Sequence, residues 1–322
     1  MKTSTINRQA RFLVAPGALL LILLVAGVLV ADYASPGNLQ NIGSQAAILA
    51  LLALGQMLVM LVRGFDISVG AVAACSSTVA ALTMDWLGTP SIALAVMAGL
   101  LFGGLNGLLI AYLRVQPIVA TLCSMIAAQG LARLISDDGQ PVVPADASTL
   151  TDLAFQNIAG IPLLLAPALI CMLLVGLILK KFTLGRHLFM VGCDPQAASL
   201  VGVDSRRVTC LAYLACGALA GLAGAVLFCK TGTGLPTEGV SWALQSVAAA
   251  VIGGTALQGG TASVWPVFFG VLLIQALETA LNIEGVSPFI AEIVMGLIIL
   301  VAGGLDRLIL RLFSSSTAYG ES

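Results

Sequence analysis

Apolar runs of about 20 residues, the length of a helix that crosses the hydrocarbon core of a bilayer, recur along the chain between short polar breaks. The clearest cover 12–31, 42–62, 91–112, 159–179, 208–228, 262–283 and 287–305. Three more, 67–86, 117–135 and 242–257, are shorter or richer in small residues. Together they predict an all-α polytopic membrane protein of about ten transmembrane helices, with one transmembrane domain over 1–322. The first run, preceded by Lys2, Arg8 and Arg11, has the flanks of a secretory signal. It is longer than the 7–15 apolar residues usual in such signals, so a retained helix is expected.

Orientation follows from Lys and Arg, which stay on the cytoplasmic side. With the N-terminus inside and ten crossings, 12 of the 14 basic residues fall inside and only Arg133 and Lys230 outside, so both termini are expected in the cytoplasm. The segment 136–158 then lies outside; it carries Asp137, Asp138, Asp146 and Asp152 and no Lys or Arg. Pro117-Ile-Val-Ala leading to Gly130-Leu-Ala-Arg133 is similar to Pro288-Phe-Ile-Ala leading to Gly304-Leu-Asp-Arg307. Because the fifth helix would run outward and the tenth inward, 42–135 and 208–311 read as inverted repeats, a common plan among transporters.

Composition narrows the function. Charged residues make up 9% of the chain and hydrophobic ones 59%, with a mean hydropathy of +1.06, where soluble domains carry about 25% charged residues. That excludes a soluble enzyme and a disordered chain, and a net charge of −1 gives no footprint for nucleic acid. Of the seven cysteines, Cys75, Cys123, Cys171, Cys210 and Cys216 sit in apolar runs, there is no CxxC pair, and His187 is the only histidine. Neither a disulfide framework nor a metal site is expected, and no catalytic constellation converges.

Polar side chains inside apolar runs are the candidate chemistry: Gln56, Asn106, Thr121, Gln129, Gln245, Gln275, Glu278, Asn282 and Glu292. Amides and hydroxyls suit a neutral polar solute, since they bond hydroxyls without fixing a charge. Glu278 and Glu292 fall toward external helix halves, where a solvated or structural role is favoured. Between helices two and three, Asp66 or Ser68 can cap the third helix while neighbouring glycines permit the turn. Gly253-Gly254 and Gly259-Gly260 end the short eighth segment and read as an interrupted helix, tolerated at membrane depth only inside protein or against a cavity. Asp66, Ser68, Asn106, Thr121, Gln129, Gln245, Gly253 and Gly254 are therefore candidates for a pathway or gate. Gly99, Gly103 and Gly107, and Gly217 with Gly221, stand at GxxxG spacing, with packing inside one subunit favoured over a subunit seam.

The cytoplasmic loop 180–207 is too long for a minimal turn. In it Asp194 suits an N-cap, Pro195 the first helical position, Gln196, Ala197 and Ala198 the helix body, and Gly202 the left-handed position beyond its end. Local physics leaves a solvated loop element and a docking knob for a cytoplasmic partner equally open.

Four motifs in order, from about 42 to 307, resemble the permease subunits of ribose-type sugar ABC importers. Gly64-Phe65-Asp66-Ile67-Ser68-Val69-Gly70 is similar to that family's Gly-Gly-Ile-Asp-Leu-Ser-Val-Gly, with Arg63 in place of the first glycine. Asn106-Gly107 followed by Pro117-Ile-Val-Ala-Thr121-Leu122, the Gly185-Arg186 to Gly202-Val203 loop, and Ala248 to Gly260 resemble its other three motifs. The resemblance implies an inverted-repeat importer permease in the bacterial inner membrane. It moves a monosaccharide or similar polyhydroxylated solute inward by alternating access. It also implies a second permease copy or paralogue, a periplasmic or extracellular solute-binding protein, surrounding lipid, and a cytoplasmic ATPase docked on Asp194–Gly202. The chain has no Gly-Lys dipeptide and so no phosphate loop; Mg-ATP would be held and hydrolysed by the partner, and the chain itself needs no cofactor and is not an enzyme. Ala243-Leu244-Gln245 stands where the family usually has Glu-Leu-Asp, and Gln129 where many members have Arg, as a different solute or one half of a heterodimer would explain. The alternative is an ion-coupled secondary transporter of a small polar solute, for which Glu278 or Glu292 would serve.

Overall fold

A computed structural model of the chain describes residues 2–158, 160–287, 289–291, 293–294 and 296–297, with side chains from Ala15 onward. Helices α1 (Lys2–Leu29), α2 (Pro36–Leu61), α3 (Val69–Leu87), α4 (Ser91–Ala111) and α5 (Pro117–Ile135) form the first half. After them come a short α6 (Ser148–Ala154), a hairpin of β1 (Asn157–Ile158) and β2 (Ile161–Pro162), and a 3-10 turn, Leu163–Leu165. Then follow α7 (Ala166–Lys181), α8 (Thr183–Cys193), α9 (Pro195–Leu200), α10 (Ser205–Thr231), α11 (Trp242–Ile252) and α12 (Val264–Ile283). Among the described residues, seven helical stretches are long and apolar enough to cross a membrane, and the apolar part of α1, Ala15–Leu29, and α11 are shorter. The chain is thus an all-α, multi-pass membrane protein. The tenth expected helix, 287–305, and with it the Pro288–Arg307 half of the repeat comparison and Glu292, falls mainly outside the described residues.

The bundle is built round α2. Ser35 caps it, accepting from the Asn38 amide at 3.3 Å, and Pro36 occupies its first turn. Every residue from Ala46 to Leu61 is buried, as expected of a helix apolar on all sides that sits in the centre of a bundle. The Tyr33 hydroxyl donates to the Ala276 carbonyl at 2.7 Å, tying the α1–α2 turn to α12. At the periphery, Leu101 on α4, Ile126 on α5 and Leu173 on α7 point outward, because lipid tails are as apolar as leucine and impose no cost on them.

The α4–α10 contact is the closest of all. A methyl group added at Gly99 or Gly217 would overlap the backbone of the opposite helix, and one at Gly103 would lie 2.5 Å from the Tyr213 carbonyl. The GxxxG steps therefore pack within the subunit, as the spacing suggests.

The eighth segment differs from the sequence expectation. Gly253 caps α11 and Gly254 turns the chain at φ +80°, so the Gly pairs terminate a helix rather than interrupt one. The interruption lies at the other end, in the non-helical stretch 232–241. Gly234 pairs with Val142 of the acidic loop at 2.8 and 2.9 Å, and the Leu235 amide donates to Ser77 Oγ at 3.2 Å. At Gly239 the stretch reaches Gly70 on the first turn of α3, with no room for a side chain between them. This segment descends beside α3, which leaves α11 only 11 residues, about 16 Å at 1.5 Å per residue. The sixth apolar run likewise becomes a long helix later than 159, because Gly160 and Pro162 impose a hairpin and a 3-10 turn before α7.

The α4–α10 seam makes a direct prediction. Gly217→Val should cost about 1–3 kcal/mol through overpacking and lower the unfolding temperature in detergent. Gly130→Ala, where an added methyl meets nothing within 4 Å, should leave it unchanged or slightly raised.

Candidate functional site

At one end of the bundle the 180–207 segment folds into two helices where one was expected. α8 is an 11-residue helix whose buried Leu188 and Val191 mark an apolar face, and α9 follows at the expected cap. Asp194 Oδ1 accepts from the amides of Gln196 (2.8 Å) and Ala197 (3.1 Å), and Pro195 opens the helix. The Ala197 and Gln196 amides, with Arg63 nearby, hold the Asp194 carboxyl below the usual carboxylate range. Gly202, at φ +84°, turns the chain beyond Val201, and Asp204 caps α10 through the amides of Arg206 and Arg207. Ala198 is buried, contrary to a face on which Ala197 and Ala198 both await a partner. The apex is instead Ala197 with Leu200, 88% exposed, and Val201. The sequence contained this signal as two consecutive apolar residues before the capping glycine.

Arg63 anchors this elbow. It sits at φ +66° just past α2, a backbone region that glycine occupies at no steric cost. Its Nε donates to the Gly192 carbonyl at 2.7 Å, and the guanidinium also reaches the Cys193 carbonyl. Those carbonyls lie at the end of α8, where a cation is favoured by the helix dipole. The Gly260 amide donates to the Leu61 carbonyl at 3.1 Å, and a side chain at Gly259 would strike Arg63 Cγ at 2.6 Å. The ends of α2 and α8 and the turn that holds Gly259 and Gly260 thus meet at one arginine, which stands in place of the motif's first glycine.

One step inside the bundle, Asp66, Ser68 and Asn106 are brought together. Asp66 Oδ1 accepts from the amide (2.9 Å) and hydroxyl (2.5 Å) of Ser68, and Asn106 Nδ2 donates to Ser68 Oγ at 3.1 Å. Ser124, three residues beyond Thr121 on the inward face of α5, completes the chain by donating to Asn106 Oδ1. The Tyr213 hydroxyl donates to the Phe65 carbonyl at 3.1 Å. All four network side chains are buried, so this network fastens the start of α3 to α4 and α5. Thr121 is buried but bonds its own helix at Pro117. Gln129 on α5 and Gln245 on α11 are half-buried and stand apart from the network. Gln56 is fully buried within α2 with both amide atoms unpaired. Among the described residues no three His, Cys, Asp or Glu side chains could hold a metal ion.

Comparison with known proteins gives a family match over residues 38–303, to a model described as branched-chain amino acid transport system / permease component. A ribose import permease protein of Haemophilus influenzae is 31% identical over 94% of this chain and 96% of its own length. One from Bacillus subtilis is 34% identical over 90% of each chain. An L-arabinose transport system permease protein of Escherichia coli is 30% identical over 89% of this chain and 87% of its own. No solved structure matches.

The Asp66–Ser124 network is testable by deletion. Asn106→Leu leaves Ser124 without its partner and Ser68 bonded to Asp66 alone, and should cost about 1–3 kcal/mol, read as a lower unfolding temperature in detergent. Adding Ser124→Ala should recover part of that loss.

Proposed function

Because this chain belongs to the branched-chain amino acid transport system / permease component family, we propose that it is the membrane subunit of an ATP-driven importer for a monosaccharide or similar polyhydroxylated solute. One observation carries the solute class. Relatives named for ribose and arabinose match along about nine-tenths of the chain, which leaves little of it outside the shared plan. The chain supplies the route, and ATP is hydrolysed by a separate cytoplasmic subunit. A solute-binding protein outside the membrane delivers the sugar, and a second permease, identical or paralogous, completes the pathway.

In this reading the chain crosses the bacterial inner membrane ten times, both termini and the Arg63 end are cytoplasmic, and the Lys230 end faces outward. Ala197, Leu200 and Val201 dock on the ATPase. Their support is stiff: α9 is capped by Asp194, and an arginine is clamped across the end of α8. A push on the apex passes through Arg63 to the end of α2 and to the glycine turn ahead of α12. That route lets ATP binding tilt α11 and α12 and so alternate access between the two sides. Asp66, Ser68 and Asn106 act as a hinge fastening beside this route, and Gln245 faces the solute path from α11.

Ala197→Asp carries an unpaired charge into an apolar contact and should lower sugar uptake about tenfold or more at unchanged expression. Normal uptake in that variant would remove the docking role. Arg63→Ala should keep ATP hydrolysis while lowering sugar moved per ATP. A tagged chain drawn from its membrane in mild detergent should bring a stoichiometric ATPase. If it purifies alone and moves sugar in liposomes under an ion gradient, the secondary-transporter reading replaces this one.

A further inference from the structure

At the Lys230 end two polar cavities lie against the first turns of α2. The outer one has a volume of ≈ 250 Å³ and is lined by Gln40, Asn41, Ser44, Phe155, Asn157 and Lys230 among others. The inner one, ≈ 70 Å³, lies deeper along α2 and is lined by Gln45, Trp242, Gln275, Glu278, Thr279 and Asn282 with two apolar neighbours. Asn41 and Gln45 are successive turns of one helix face. Lys230, in the wall of the outer cavity, donates to Gln45 Oε1 at 2.6 Å, in the wall of the inner one. Asn157 donates to Gln40 Oε1 at 3.2 Å across the outer cavity, and Gln275 to Glu278 Oε2 at 3.3 Å across the inner. Trp242 is the first residue of the short helix α11, so the inner cavity opens where the eighth segment becomes helical.

We propose that these two cavities are successive stations of one low-affinity sugar site, with the Lys230–Gln45 hydrogen bond as the latch between them. The chemistry is that of a ligand with many hydroxyls and no net charge. Both linings carry amides and hydroxyls, Gln40, Asn41, Ser44 and Asn157 in the outer and Gln45, Gln275, Thr279 and Asn282 in the inner, and each donates and accepts as a sugar hydroxyl does. Glu278 accepts from hydroxyls, and Lys230 donates to a ring or hydroxyl oxygen once it leaves Gln45. The indole of Trp242 and the ring of Phe155 offer flat apolar surfaces to the C–H face of a pyranose or furanose. The outer volume is below the ~300–1,000 Å³ of sites for drug-sized ligands, in keeping with a monosaccharide. Polar groups of this density at the mouth of an otherwise apolar bundle are costly to desolvate, and a hydroxylated ligand replaces the water they lose. This inference rests on the sugar-importer reading and identifies where that importer first holds its solute.

The test uses the full chain in lipid nanodiscs with its ATPase. Trp86, 89% exposed, and Trp265, 47% exposed, are changed to Phe, which leaves Trp242 as the sole indole. Titration with D-ribose, L-arabinose and L-leucine at millimolar concentrations follows its emission. The expected result is a saturable change with a pentose and none with leucine. Lys230→Met should raise the half-saturation concentration about tenfold, the loss of one charge-assisted hydrogen bond to the sugar, and Gln45→Leu should raise it about threefold or more, the loss of a neutral one. If the unsubstituted complex imports labelled pentose while Trp242 stays silent and both variants import normally, the site is wrong and the importer reading stands. If the complex imports leucine and neither pentose, or moves none of the three, the sugar reading fails and the site falls with it.

Discussion

In hydrocarbon, every backbone N–H and C=O has to find its partner inside the protein, and this constraint shapes each place where the chain leaves the helix. Two such places meet. The linker before α3 is satisfied by the Gly64 amide bonding the Val59 carbonyl, by Tyr213 on Phe65, and by Asp66 turning its carboxylate onto Ser68. The stretch before α11 is satisfied by Val142 and Ser77 and by lying against α3 until it touches Gly70. At their point of contact, Gly70 against Gly239, both breaks are buried, so α3 and the short α11 start beside one another.

What could be read in advance followed from how local each signal was. Pro117 sets the start of α5, and the expected 117–135 agrees with the helix found. Asp194, Pro195 and Gly202 specify α9 because cap, first turn and end lie within nine residues. The 232–241 segment was illegible because its partners are Gly70, Ser77 and Val142, far away in sequence, and a Gly-rich, half-polar stretch looks like any external loop. The burial of Ala198 was equally hidden: cap chemistry fixes where a helix starts but not which face turns inward. The polar cavities draw on helices two, ten, eleven and twelve, so single residues such as Gln275 and Glu278 were visible while their assembly was not.

Arg63 illustrates how a departure from a family pattern acquires a structural reason. A glycine there would adopt the positive φ freely, whereas arginine tolerates it at some cost in strain. The side chain returns two hydrogen bonds to carbonyls at the end of α8 that would otherwise look to water. The substitution exchanges a flexible joint for a fixed one between the capped elbow and the core.

The glycine seam between α4 and α10 carries a mechanical consequence. Where Gly99 and Gly103 meet Gly217 and Gly221, backbone lies on backbone with no side chain between whose rotamer could yield, so the helices resist sliding past one another by small steps. They behave as a single stiff beam. Displacement is therefore easiest in elements outside that beam, and the short α11, which packs on α2 and α12 and is held at one end by a glycine turn and at the other by an unwound strand of chain, is free to swing without disturbing it.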